Sequence, residues 1–212
     1  MNVLSSFCER DIESCLFQTA FLLLEKRESS YLCKNHGKVD MSPRLTSSFF
    51  ERDARKVAPE LLGKILVRRL DDGTELRGVI VETEAYFGEE DKACHASKGR
   101  TARTEVMYDA GGKVYVYFIY GMYWLLNVVT GFKGHPQAVL IRGVDKVLGP
   151  GRVGKWLQLD RSFYGEDVTL SQRLWIENSE VLVEYNTTPR IGVEYAGEEW
   201  SLKPWRFIAK MP

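Results

Sequence analysis

Two pairs of β-prone runs, each pair joined by a tight-turn dipeptide, constrain this chain to a sheet assembled from hairpins. Residues 65–70 and 75–86 flank Asp71-Asp72-Gly73-Thr74, and an Asp-Gly pair between apolar runs favours a hairpin turn. Residues 114–119 and 122–130 surround Tyr120-Gly121 in the same manner. A large aromatic at such a turn cannot bury itself as a strand tyrosine does, so Tyr120 is expected to project from the hairpin tip. Further strands are expected at 138–144, 174–177, 190–195 and 205–209, a helix at 153–159, and short helical turns opening at Asp53 and at Pro59, the latter ended by Gly63. Residues 87–112 are long, charged and bounded by glycine, the profile of a functional loop. Hairpins with few helices indicate an α+β fold: a single domain with a mixed, mainly antiparallel, curved sheet flanked by short helices.

The chain has 212 residues, enough for one domain with a real core and a tail. Residues 1–40 carry one amphipathic segment around 12–25, and Met41-Ser42-Pro43 would serve well as a start. The expectation is therefore a poorly ordered extension over 1–40 and a folded domain over 41–212. No apolar run approaches the roughly 18 residues of a spanning helix, and the N-terminus lacks a basic start and a small-residue cleavage site. An intracellular protein without membrane association is expected: cytoplasm or nucleoid in a bacterium, nucleus in a eukaryote. Cys8, Cys15, Cys33 and Cys94 argue against a disulfide framework in a reducing compartment. Cys33 and His36, with the other cysteines, do not fall into the paired spacings of a zinc site.

The formal net charge is zero, which excludes an indiscriminately basic binder of polyanions. The distribution is uneven, because residues 96–161 hold ten Lys and Arg against four Asp and Glu. That basic segment also holds the aromatic run Tyr115-Val116-Tyr117-Phe118-Ile119-Tyr120. Just before it, strand alternation sends Ile80, Glu82, Glu84 and Tyr86 to one face. Glu84 on a strand can simply be part of a solvated face. Beside Tyr86 and a dense run of tyrosines it can equally be a carboxylate working inside an aromatic pocket, and spacing alone leaves both open.

Gly149-Pro150-Gly151-Arg152-Val153-Gly154-Lys155 matches both G-x-G-x-x-G and the G-x-x-x-x-G-K part of a phosphate loop. Trp156 stands where a Walker loop needs Ser or Thr, and hairpins replace the βαβ frame of a dinucleotide site. An NTP-linked enzyme is therefore disfavoured. What survives is a glycine-rich turn opening a helix at which Arg152 and Lys155 could hold a phosphate.

Glu82-Thr83-Glu84-Ala85-Tyr86, Ala93-Cys94-His95, Tyr115-Val116-Tyr117, Tyr120-Gly121-Met122-Tyr123, Asn127 and Leu140-Ile141-Arg142 follow one another at spacings that resemble the alkyladenine (3-methyladenine) DNA glycosylases, over roughly residues 45–210. The resemblance implies a monofunctional base-excision enzyme that turns a damaged purine out of duplex DNA into a pocket, since a base inside a duplex cannot be reached. It implies that Glu84 activates a water that attacks the sugar carbon, and that Arg142 sits near that water. Tyr86 and His95 on one side and Tyr117 on the other would sandwich the base. Asn127 would exclude guanine by crowding its exocyclic amine, Tyr120 would wedge into the duplex, and Arg152 with Lys155 would hold DNA phosphate. Cys94 departs from the small apolar residue associated with that motif position. Tyr115 and Tyr123 are expected to pack in the core. The implied reaction uses no metal or organic cofactor, leaves an abasic site plus free base, and involves a monomer acting on damaged double-stranded DNA. The rival from another class is a non-catalytic binder of single strands or RNA, in which the tyrosines stack bases and Glu84 is structural.

Overall fold

The computed structural model describes residues 44–179, 181 and 183–210. The expectations placed on residues 1–40, including Cys8, Cys15, Cys33 and His36, lie outside the described residues. Within them the fold is α+β, a nine-stranded sheet with a few short helices. Every strand pairing among the described residues is antiparallel. No helix of the described residues is long and apolar enough to cross a membrane.

The helices are α1 (Ser47–Phe50), α2 (Ala54–Glu60), α3 (Pro150–Trp156) and α4 (Glu198–Ser201). The strands are β1 (Ile65–Arg69), β2 (Glu75–Phe87), β3 (Val114–Ile119), β4 (Tyr123–Thr130), β5 (Gln137–Val144), β6 (Val147–Leu148), β7 (Leu174–Glu177), β8 (Tyr185–Thr188) and β9 (Arg206–Ala209). The main order is β3-β4-β5-β2-β1-β7. The long strand β2 is the hinge of this arrangement. Its first half pairs with β1, while its second half lies between β5 and β9.

Three expectations are corrected. Asp53 caps a single helix, α2, by accepting the Arg55 N–H, and Pro59 sits near its end, where a missing N–H costs only one helical bond. The helix expected at 153–159 begins at Pro150, with Gly149 as its N-cap at φ 95°, and stops at Trp156. The strand expected at 190–195 is an irregular segment ending in a 3-10 turn, Glu194–Ala196, and the strand is β8 upstream. Pro189 supplies no N–H to a ladder and Gly192 adopts φ 76°, so the apolar pattern there serves a loop.

Side-chain alternation divides the sheet into two faces. Val114 and Val116, Leu126 and Val128, and Val139 and Ile141 join Ala85 and Ile80 in one apolar cluster with Val57, Ala58 and Leu61 around α2 and with Val153 and Leu157 around α3. Tyr115 and Tyr117, Leu125 and Asn127, and Leu140 and Arg142 project from the opposite face. β2 keeps this rule only because its register shifts between Ile80 and Thr83. The irregularity reverses the alternation, so Ile80 packs in the helix-covered core and not beside Glu84, which corrects the expectation that Ile80, Glu82, Glu84 and Tyr86 share one face.

The glycines of the 149–154 run serve helix–sheet contact. A Cβ at Gly154 would lie 1.8 Å from the Trp124 carbonyl oxygen, and one at Gly151 would lie 2.8 Å from the Tyr123 ring. Trp124 O is backbone and cannot turn aside. Gly154→Ala is expected to destabilise the protein by about 3 kcal/mol, the upper end of ordinary overpacking costs. Equilibrium urea unfolding measures this, and a loss below roughly 0.5 kcal/mol would contradict the packing described.

Candidate active site

The face of the sheet opposite the apolar core carries a cavity of about 750 Å³, with the first turn of α3 at its rim. Tyr86, His95, Tyr115, Tyr117, Tyr120, Tyr123, Asn127, Arg142 and Arg152 all contribute to its lining. Two loops complete it: the expected functional loop, folded into short 3-10 turns at His95–Lys98 and Glu105–Tyr108, and the segment after β8, through Ile191, Val193 and Tyr195.

Glu84 does not itself line this cavity; it has no solvent exposure and is covered by Tyr86, Arg142 and Ile191, which do line it. Its Oε2 accepts from the Tyr86 hydroxyl at 2.9 Å and faces Arg142 Nη1 at 3.3 Å. Its Oε1 accepts from the Ile191 amide at 2.8 Å. Burial raises its pKa above the ordinary carboxylate value. The Arg142 charge, the Ile191 amide and the Tyr86 hydroxyl oppose that rise without cancelling it. Removal from water likewise pushes the Tyr86 phenol well up, with the Glu84 charge adding to it, so Tyr86 remains a donor to the carboxylate.

Arg142 is held from its far side. Its Nε donates to Glu82 Oε1 at 2.8 Å, and Arg206 Nε donates to the same oxygen at 2.6 Å. Arg206, Glu82, Arg142 and Glu84 thus form an alternating chain of charges across β9, β2 and β5. Glu82→Gln would leave two largely enclosed guanidinium groups short of their counter-charge, and removing one partner of such a pair is costly. The variant is expected to lose roughly 3 kcal/mol of stability in denaturant unfolding; an unchanged midpoint would show that Glu82 does not secure Arg142.

His95 Nδ1 and the Tyr115 hydroxyl are 2.8 Å apart, and Arg103 Nη2 lies 3.5 Å from His95 Nε2. Because arginine can only donate, Nε2 is the acceptor and Nδ1 carries the proton. Burial lowers the His95 pKa to about 4, and the Arg103 and Lys98 charges act in the same direction, so the ring is neutral at neutral pH. His95 meets the Tyr117 ring edge-on with centroids 4.7 Å apart. Tyr115 is buried, as expected for a core tyrosine, yet its hydroxyl orients His95. Asn127 donates from Nδ2 to the Tyr115 carbonyl at 3.1 Å while lining the cavity. Cys94 is buried before the His95 turn, and burial pushes its thiol up to about 12, which leaves it an unreactive packing group.

Tyr120 is 82% exposed at the hairpin tip. It and Gly121 have φ values of 53° and 66°, and the Met122 amide donates to the Ile119 carbonyl, which makes a type I′ turn. Positive φ is uncommon for a bulky aromatic, so the turn holds Tyr120 in a conformation that favours smaller residues. Arg152 is exposed on α3 at the cavity rim. Lys155 is exposed one turn on and does not line it.

The structure therefore brings together Glu84, Tyr86, His95, Tyr117, Asn127 and Arg142, with Tyr120 and Arg152 at the mouth and Lys155 apart. Glu82, noted in the sequence only as part of a motif and a strand face, was given no role there, and Arg103, Arg206, Asp91, Arg190 and Ile191 were not singled out. Glu82 could have been found from its place beside Glu84. Arg190 and Ile191 could not, being about a hundred residues from their partners. The methylpurine-DNA glycosylase model matches residues 48–148 and 144–211. This chain belongs to the methylpurine-DNA glycosylase family. It is a hydrolase, a DNA N-glycosylase of alkylated purines. A relative from Methanocella arvoryzae is 45% identical over 79% of this chain and 93% of its own length. Relatives from Psychrobacter cryohalolentis and Natranaerobius thermophilus are 41% and 40% identical over 74% and 79% of this chain, and over 88% and 96% of their own lengths. All three carry the provisional name of 3-methyladenine DNA glycosylase.

Proposed function

We propose that this glycosylase turns an alkylated or deaminated purine out of duplex DNA and hydrolyses its N-glycosidic bond with a water activated by Glu84. The observation that carries the reading is the enclosed Glu84 carboxylate, held by three residues, Tyr86, Arg142 and Ile191, that line an aromatic cavity. Burying a charged group is costly, so a binder that only stacks bases gains nothing from it. Oε2 is committed to Tyr86 and Arg142, whereas Oε1 has one described protein partner, the Ile191 amide, and retains a lone pair for the hydrogen of a water. That water's oxygen bonds to the sugar carbon, its proton passes to Glu84, and the electrons of the breaking carbon–nitrogen bond enter the base. A purine made cationic by alkylation, such as 7-methylguanine, leaves neutral, whereas a neutral one such as hypoxanthine leaves as an anion that takes a proton from solvent. The product is an abasic site with the strand uncut.

Tyr86, His95 and Tyr117 offer the aromatic faces for the extruded base, to which a cationic purine is attracted by on the order of 1–2 kcal/mol. Seating a base between the His95 side and Tyr117 requires their 4.7 Å edge contact to open. Asn127 would crowd the exocyclic amine of guanine, and Arg152 and Lys155 would meet the phosphates. We take residues 41–212 as the catalytic unit, acting as a monomer.

Glu84→Gln is expected to bind lesion DNA while single-turnover excision falls by roughly 10²-fold or more, the usual scale for losing an acid–base group. Oligonucleotides carrying 7-methylguanine, hypoxanthine or etheno-adenine, cleaved with alkali after incubation, measure this; excision at the wild-type rate would remove Glu84 from the mechanism. Only the ionised carboxylate accepts a proton and burial holds its pKa above 4.5, so excision by the wild type is expected to fall on acidification at a pH above that value.

Tyr120 would occupy the gap left by the extruded nucleotide. Tyr120→Ala is expected to leave the melting temperature nearly unchanged, because the ring is exposed and its positive φ contributes nothing to stability. The fluorescence change of an etheno-adenine probe on binding is expected to shrink. A large drop in melting temperature with normal probe response would show that the ring packs instead of wedging.

A further inference from the structure

The two loops that wall the cavity, one leading into His95 and the other leading out of β8, are joined by a pair of fully enclosed side chains, Asp91 and Arg190. Arg190 Nη1 donates to Asp91 Oδ2 at 2.5 Å and Nη2 donates to Oδ1 at 2.9 Å. Asp91 also accepts the Phe87 amide on Oδ2 and the Ala93 amide on Oδ1, both at 3.0 Å, which fixes the chain on either side of it. Arg190 donates further to the Ala85 carbonyl on β2 at 2.9 Å and to the Trp200 carbonyl at 3.2 Å. Its guanidinium lies 4.9 Å from the centroid of the Tyr86 ring and 5.0 Å from that of Trp205. The residue that follows it, Ile191, is the one whose amide meets Glu84.

We propose that Asp91 and Arg190 are positioning residues for the excision reaction: their bidentate pair holds the Ile191 amide on Glu84 Oε1 and fixes the Tyr86 ring, and so sets the orientation and basicity of the carboxylate. The proposal rests on Glu84 acting as the base. Loop pinning alone does not call for this chemistry, because an apolar pair of similar volume often holds buried segments as well as an ion pair does. What an apolar pair could not do is place a cation against Tyr86 and near Glu84. The Ile191 amide and the Arg190 charge both favour the ionised carboxylate against the burial that raises its pKa. A looser loop would remove the first and displace the second.

Arg190→Lys tests this in the full chain, since it keeps the charge and loses the fork. At a temperature well below its melting point, single-turnover excision at neutral pH is expected to fall about tenfold. The acid limb of its pH profile is expected to move upward by roughly half a pH unit or more, as loss of a hydrogen bond to the ionised form requires. In ¹⁵N-isoleucine-labelled protein, the Ile191 amide resonance is expected to titrate with Glu84 in the wild type and to lose that titration in Arg190→Lys. A folded Arg190→Lys with unchanged acid limb and unchanged Ile191 titration overturns the proposal. Should that variant fail to fold, the wild type decides by itself: an Ile191 amide that exchanges rapidly with solvent, or does not respond to Glu84 titration, overturns it equally. If Glu84→Gln excises normally, the reading of Glu84 as base fails, and the Ile191 titration still reports whether the pair holds that amide. If Glu84→Gln is inactive and Arg190→Lys is silent, only the positioning role fails.

Discussion

The interaction on which the rest depends is the enclosure of one carboxylate by three donors from separate parts of the chain. Tyr86 comes from the same strand as Glu84, Arg142 from β5, and the Ile191 amide from the segment after β8. An isolated ionised carboxylate in an apolar setting would neutralise itself, so each donor is a condition for the charge to persist. Three donors from three segments can converge only if the strands that carry them are held in register. The sheet, the loops and the helices behind them supply that constraint.

Register is fixed from the opposite face. The valines, leucines and isoleucines that β3, β4 and β5 turn toward α2 and α3 leave their alternate residues, Tyr117, Asn127 and Arg142, on the cavity side. A slip of one residue would exchange the two sets, burying Arg142 among apolar groups and exposing Ile141. The packed core thereby specifies the position of the cavity face, and the glycines of α3 allow the helix to approach the Trp124 backbone closely enough to close that core. The same run that resembles a phosphate loop is thus explained by steric demand at the sheet.

Legibility in the sequence followed interaction range. The two hairpins, the exposed Tyr120 tip and the α+β class were readable because they arise from local alternation and turn chemistry. Glu84 beside Tyr86 was readable for the same reason, and the structure joins them by a hydrogen bond. The Ile80 face was misread because the register shift in β2 depends on its partner strands, which a single strand's pattern does not contain. The 190–195 segment was misread because Val193 packs against Ala93 before the His95 turn and the chain there does not pair in a ladder. Arg190 and Asp91 were invisible for a deeper reason: nothing in either neighbourhood indicates a partner about a hundred residues away.

The charges around the site nearly cancel. Glu82, Glu84 and Asp91 are matched by Arg142, Arg190 and Arg206, each in contact with an acid of the set. With these six charges paired, the enclosed groups carry no net charge, and any preference for a cationic alkylated purine would come from the aromatic faces. On the proposed reading, discrimination would fall to shape and to short-range groups such as Asn127 and the aromatic faces. Two further cations that line the cavity among the described residues, Arg103 and Arg152, are exposed at its mouth. On the proposed reading Arg152 at that mouth would meet the phosphate backbone, where attraction is independent of base identity. A charge-paired interior behind a basic rim would, on that reading, let one surface gather DNA of any sequence while the pocket selects the base.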